Sequence, residues 1–158
     1  MTQLKNSAFP SLPPSINSGG YLSKTVDLSV SANKTIATHE VFTVTGLVRA
    51  RLWVEVTGDV TSSGGAGTLQ FGLAGSTTEF ISATGEDDLD NGDIWFDATP
   101  TETFVGFSTG VFDYLSNGID IGYEIVSEAL TAGTLVFHIV WEPLNSTGNV
   151  VEGPLTTL

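Results

Sequence analysis

Apolar residues in this chain recur at every second position, and no window of about 11 residues carries the i, i+3, i+4, i+7 stripe of a helix. The clearest run is residues 41–58, VFTVTGLVRARLWVEVTG, which alternates on both sides of Thr45-Gly46. That pattern predicts a β-hairpin turning at Thr45-Gly46. On its second arm Val48, Ala50, Leu52, Val54 and Val56 share one face, and Arg49, Arg51, Trp53, Glu55 and Thr57 share the other. The first face reads as core. The second collects both arginines of the chain and one of its three tryptophans on a single strand, a composition typical of interfaces.

Further strands follow at short spacing. Residues 21–30 alternate through Val26, Leu28 and Val30, residues 68–75 through Leu69, Phe71 and Leu73, and residues 119–126 through Ile119, Ile121, Tyr123 and Ile125. Residues 79–84 and 94–97 read as shorter strands, and residues 102–115 as one interrupted by Gly110. Residues 58–67, GDVTSSGGAG, read as a glycine-rich loop, and Ser116-Asn117-Gly118 as a second hairpin turn. Residues 134–142 are apolar on both faces, Leu135, Phe137, Ile139 and Trp141 against Val136, His138 and Val140, which predicts a last strand that is central or covered. Eight or nine antiparallel strands with turns every 8 to 15 residues predict an all-β sandwich or jelly roll.

Residues 1–19 break the pattern. Pro10, Pro13 and Pro14 remove ladder donors, so this segment reads as an extended arm preceding a single domain over 20–158. Its apolar residues Leu4, Phe9, Leu12 and Ile16 predict that the arm packs on a surface, its own or a neighbour's.

Charge sharpens the picture. All five basic residues, Lys5, Lys24, Lys34, Arg49 and Arg51, lie in the first 51 positions, where only Asp27 and Glu40 oppose them; beyond Arg51 there are sixteen acids and no base. A chain with a net charge of −13 repels phosphate backbones and anionic lipid, so neither nucleic acid nor membrane is an expected partner. No run approaches the ~20 apolar residues of a membrane span, and the first residues lack the apolar core of a secretion signal.

Candidate chemistry is sparse. With no cysteine there is neither disulfide nor thiolate metal site. The acidic segment 86–93, EDDLDNGD, has the composition of a Ca²⁺ loop, with Asp88, Asp90 and Asp93 as weak ligand candidates. It misses the EF-hand template, since its glycine falls one place early and no bidentate Glu follows, so a solvated hairpin loop is the expectation. His39 and His138 have no accompanying G-x-S-x-G elbow or His-x-x-x-His pair, which predicts no enzymatic activity, no metal and no cofactor. Of Trp53, Trp95 and Trp141, only Trp53 falls on a face predicted to lie outside the core.

Four segments, GGYLSKTVDLS from Gly19, FTVTGLVRARLWVEVTGDV from Phe42, GDIWFDATP from Gly92 and FHIVWEPLNSTGNVV from Phe137, together resemble a type of small tailed-bacteriophage structural protein. The resemblance spans roughly residues 19–151 and carries no catalytic residues. It implies a virion building block made in the host cytoplasm. The expected role is a capsid decoration, or cement, protein that forms a homo-oligomer, expected to be a trimer, on the major capsid protein lattice. The alternative it leaves open is a tail- or fibre-associated virion protein, including one that binds a host glycan. The arm lies outside the resemblance, and the expected contact residues come from the chain's own pattern: Leu4, Phe9, Leu12 and Ile16 of the arm with Arg49, Arg51 and Trp53 of the body.

Overall fold

The computed structural model describes residues 19–101 and 114–155. The period-two segments fold as ten strands among these residues: β1 (Gly20–Asp27), β2 (Thr38–Thr45), β3 (Leu47–Ser62), β4 (Thr68–Leu73), β5 (Ser76–Gly85), β6 (Ile94–Trp95), β7 (Tyr114–Asn117), β8 (Ile121–Ile125), β9 (Leu130–Pro143) and β10 (Asn149–Glu152). The one helical element among them is a 3₁₀ turn at Glu86–Asp88. No helix there is long and apolar enough to cross a membrane.

The strands form two antiparallel sheets. One runs β1-β9-β3-β6, with β7 also paired to β3, and the other runs β10-β2-β8-β4-β5. Strand β1 pairs β9, β2 pairs β8, β3 pairs β7 and β6, and β4 pairs β5. The first half of the chain thus lies against the second half in reverse order, as one long antiparallel ribbon wound into two facing sheets. That winding is a jelly roll. Strand β10 adds an edge beyond β2, beyond the residues 134–142 that the pattern takes as the last strand.

Both expected hairpins are corrected by this winding. Strands β2 and β3 belong to different sheets, so Thr45-Gly46 carries the chain from one sheet to the other rather than back on itself. Residues 116–118 do the same between β7 and β8. A positive-φ glycine between alternating runs marks a change of direction and does not say whether the next strand returns to the same sheet. Gly46 (φ 61°) and Gly118 (φ 70°) supply that geometry, and the Gly118 N–H donates to Gly46 O at 2.9 Å. The two crossings are therefore the two rails of the ribbon at one corner. Asp120 Oδ1 accepts the Val44 N–H at 2.8 Å, and Asn145 Oδ1 accepts the Leu47 N–H at 3.2 Å, closing the corner on both sides.

The expected loop 58–67 is also shorter than read. Strand β3 continues to Ser62 through register shifts at Val56/Gly58, Gly58/Thr61 and Thr61/Ser62, which let a strand bend without leaving its partner. Between the sheets lie Val48, Ala50, Leu52, Val54 and Val56 of β3, Leu135, Phe137, Ile139 and Trp141 of β9, and Phe42, Phe71, Tyr123 and Ile125 of the facing sheet, all buried. Each of these side chains larger than Ala50 contributes about 1.5–3 kcal/mol by leaving water. Lys24, with its side chain 13 % exposed, reaches from edge strand β1 to the Gly153 carbonyl after β10, joining the two sheets along that side.

The corner makes a prediction. A Cβ at Gly46 would fall 2.4 Å from Thr147 Oγ1 and 2.6 Å from the Thr147 carbonyl carbon, whereas one at Gly75 (φ 84°) meets nothing within 4 Å. Gly75→Ala should lose only the cost of a left-handed residue, about 1–2 kcal/mol. Gly46→Ala should lose at least twice that in urea unfolding, because the Thr147 backbone must also move. Equal losses would contradict the corner.

Candidate functional site

Alternation on β3 and β9 places one set of side chains outside the first sheet as surely as it places the other set in the core. The register sets them in rows across three strands. Arg49 lies opposite Glu142; Arg51 opposite Val140, which lies opposite Tyr21; Trp53 opposite His138, which lies opposite Ser23; and Glu55 opposite Val136, which lies opposite Thr25. Leu115 of β7 flanks Arg49 on its other side. Arg49 and Arg51 are exposed and Trp53 is half-buried, as the pattern requires.

The face is aromatic at its middle and basic at one end. The Trp53 ring stacks on His138 with centroids 5.0 Å apart and planes 10° from parallel, and Tyr21 lies 5.9 Å from His138 and 6.3 Å from Trp53. Tyr21 is 55 % exposed, Val140 44 % and Leu115 63 %, so three large apolar side chains face outward around the stack. At the basic end Arg49 Nε holds Glu142 Oε1 at 2.7 Å. Both partners are half exposed, so that pair is worth at most about 1 kcal/mol. A shallow depression of about 340 Å³ opens there, lined by Arg49, Ala50, Arg51, Val140, Trp141 and Glu142.

His138 holds the stack in place. The Tyr21 hydroxyl lies 2.7 Å from its Nδ1, and Glu55 Oε2 lies 3.5 Å from its Nε2. The arrangement that suits both neighbours has Tyr21 donating to Nδ1 and the Nε2–H facing the carboxylate. Burial pushes the His138 pKa below its ordinary value and outweighs the opposing pull of Glu55. Tyr21 and His138 were not among the expected contact residues. His138 was legible there, since it alternates with Val136 and Val140. Tyr21 stands at a strand start, where alternation says little.

The remaining candidates among the described residues do not join this face. Leu4, Phe9, Leu12 and Ile16 lie outside the described residues. His39 belongs to β2 in the opposite sheet, fully buried, stacked on Tyr123 at 4.9 Å with Nε2 2.9 Å from Thr35 O. Trp95 is wholly buried and donates to Thr84 Oγ1 at 2.9 Å, and Trp141 packs inward. The acidic segment is solvated only in part: Asp87, Asp88 and Asp90 are exposed, as expected of a loop, but the segment is anchored. Leu89 is fully buried, Glu86 and Asp93 are buried, and backbone bonds from Val60 N–H to Leu89 O, Gly92 N–H to Val56 O and Val56 N–H to Asp93 O strap it to β3. Asp93 Oδ2 faces the Asp90 N–H at 3.1 Å, and no three His or carboxylate groups among the described residues are gathered closely enough to hold a metal.

The buried histidine makes the face acid-sensitive. A folded pKa below the unfolded value of about 6.5 means that the unfolded chain takes up the proton first. The contribution of neutral His138 is complete above pH ~6.5 and is lost as pH falls from there toward the folded pKa. An NMR titration of the ring protons should show His138 titrating below 6.5, and the stability lost between pH 7 and 5.5 should shrink in His138→Gln. A titration at or above 6.5 would refute this.

In comparison with known proteins, no protein-family model, no curated protein and no solved structure matches the chain, so the functional reading stands on the geometry of this face and on the sequence.

Proposed function

We propose that the chain is a non-enzymatic virion structural protein of the capsid-decoration type. In this reading it associates with copies of itself and binds the major capsid protein through the outer face of the β1-β9-β3 sheet. The observation that carries the reading is the placement of both arginines, Trp53, Tyr21, Val140 and Leu115 on one open face of an otherwise acidic chain. Such a face combines the aromatic and Arg anchors of protein interfaces with the charge needed to approach an acidic partner. The four sequence landmarks that resemble tailed-phage structural proteins supply the virion context, and trimeric assembly belongs to the same proposal.

A second reading is a tail- or fibre-associated protein whose face binds a host glycan. The observation that favours it is the Tyr21–Trp53–His138 stack, because aromatic rings on an open sheet face suit the apolar faces of sugars. The two readings separate by partner. Purified protein should sediment with phage heads lacking it in the first case, and should bind glycans with heads absent in the second.

Arg51→Glu and Trp53→Ala test the face itself. Each should weaken self-association and head binding at least tenfold. Arg51→Glu should cost the isolated fold about 1 kcal/mol or less, as surface charge changes usually do. Head binding unchanged in both variants, with the fold intact, would rule out this face as the contact.

A further inference from the structure

At the end of the sandwich where the β3–β4 loop meets the 3₁₀ turn and the start of β9, a carboxylate is buried with no base beside it. Glu86, the first residue of the 3₁₀ turn, is 4 % exposed. Its Oε1 accepts from Ser62 Oγ at 2.8 Å, and its Oε2 has no hydrogen-bond partner. The same Ser62 oxygen lies 3.1 Å from Glu128 Oε2. A hydroxyl has one hydrogen to give, so it satisfies one of these carboxylates at a time. Sharing it keeps the two acids within about 6 Å of each other.

Everything around the pair holds it there. Glu128 accepts from Ser63 Oγ at 2.5 Å and from the Ala66 N–H at 3.3 Å. The Gly65 and Gly67 N–H groups donate to Ser62 Oγ at 3.1 and 3.3 Å, which fills the lone pairs of that hydroxyl and leaves it to position the acids. The loop can close this tightly because it is glycine: a Cβ at Gly64 would fall 2.8 Å from Glu128 Oε2, and one at Gly67 2.8 Å from Glu86 Oε2. Leu130 closes the apolar side, its Cδ2 also 2.8 Å from the Gly67 Cβ position. No Lys or Arg occurs after position 51, and none of the ion pairs among the described residues includes Glu86 or Glu128. A buried carboxylate oxygen with neither hydrogen bond nor counter-charge is among the costliest groups a fold can contain.

We infer that Glu86 and Glu128 form a cation site whose occupant is Ca²⁺, with Glu86 Oε2 as the buried ligand, Glu128 as the solvent-side ligand and water in the remaining positions. The chemistry selects a hard cation, since only oxygen is offered. It favours Ca²⁺ over Mg²⁺ because an irregular loop fits the variable coordination of Ca²⁺ better than a regular octahedron. The shared hydroxyl bounds the separation of Glu86 Oε1 from Glu128 Oε2, and oxygens that share one Ca²⁺ at about 2.4 Å lie about 4.8 Å apart or less, so the Glu86 carboxylate must turn Oε2 toward Glu128 and the pair must close on the ion. With two protein carboxylates the affinity belongs to the weak class, a Kd of about 10⁻⁴–10⁻³ M. The site takes the first residue of the 86–93 segment but none of Asp88, Asp90 and Asp93, and it is independent of the reading of the β1-β9-β3 face.

The test uses the full chain freed of ions with a chelator. Melting in 5 mM CaCl₂ should exceed melting in EGTA by roughly 3–5 °C, with a smaller rise in 5 mM MgCl₂. Calorimetric titration with CaCl₂ should show one site, weakened at least tenfold in Glu86→Gln and in Glu128→Gln. Glu128 is partly exposed, so its variant folds even if Glu86→Gln does not. The inference is overturned if calcium leaves the wild-type melt unchanged, as it would were Glu86 satisfied by a buried water or a proton. It is equally overturned if Glu128→Gln gains as much from calcium as the wild type, which would put the ion elsewhere.

Discussion

The register of β3 on β9 is the constraint from which the rest of the molecule follows. Twelve residue pairs, from Val48–Pro143 to Ser62–Leu130, join these strands at the centre of one sheet. In one direction the pairing sends Val48 through Val56 and Leu135 through Trp141 into the core. In the other it sends Arg49, Arg51, Trp53, His138 and Val140 to the outer face. A slip of one residue would exchange the two sets, exposing the core and burying both arginines. The stability of the fold and the composition of its open face are therefore one property of the sequence, set by the same alternation.

That is why the face was legible and the winding was not. Alternation fixes which side of a sheet a residue occupies, so the core set of β3 and the Arg49, Arg51, Trp53 set came directly from the pattern. It contains nothing about which strands are neighbours. The Thr45-Gly46 and Asn117-Gly118 signals mark reversals of direction, and two adjacent strands joined in this way form a hairpin by default. Here the pairs β2–β8 and β3–β7 turn the corner together, and the local sequence is the same as that of a hairpin. The acidic segment misled for a related reason. Its five acids suggest solvent, yet Leu89 plugs the core and pulls Glu86 and Asp93 under cover with it. The Tyr21–His138 contact joins residues 117 apart in sequence, beyond the reach of any local pattern.

Charge gives the molecule a polarity that the fold makes spatial. The chain beyond Arg51 has sixteen acids and no Lys or Arg, and it wraps around a β3 strand that carries both arginines. Arg49 pairs with Glu142 of the neighbouring strand. The basic end of the face is thus not a bare positive patch but a polar border beside apolar Tyr21, Val140 and Leu115. Recognition on such a face draws on buried aromatic and aliphatic area, with charge setting orientation. That balance fits a protein partner better than a polyanion, and it underlies the proposed virion role.

The central claim is that the chain folds as a ribbon turning one corner at Gly46 and Gly118. It is tested most directly by backbone nuclear Overhauser contacts in the isotopically labelled protein. Cross-strand contacts are expected for Leu47 with Asn117, Arg49 with Leu115 and Thr38 with Glu124, and none between Thr43 or Val44 and Val48 or Arg49. Contacts linking residues 43–44 to residues 48–49 as paired neighbours would mean that β2 and β3 form a hairpin in one sheet, and the account would fail.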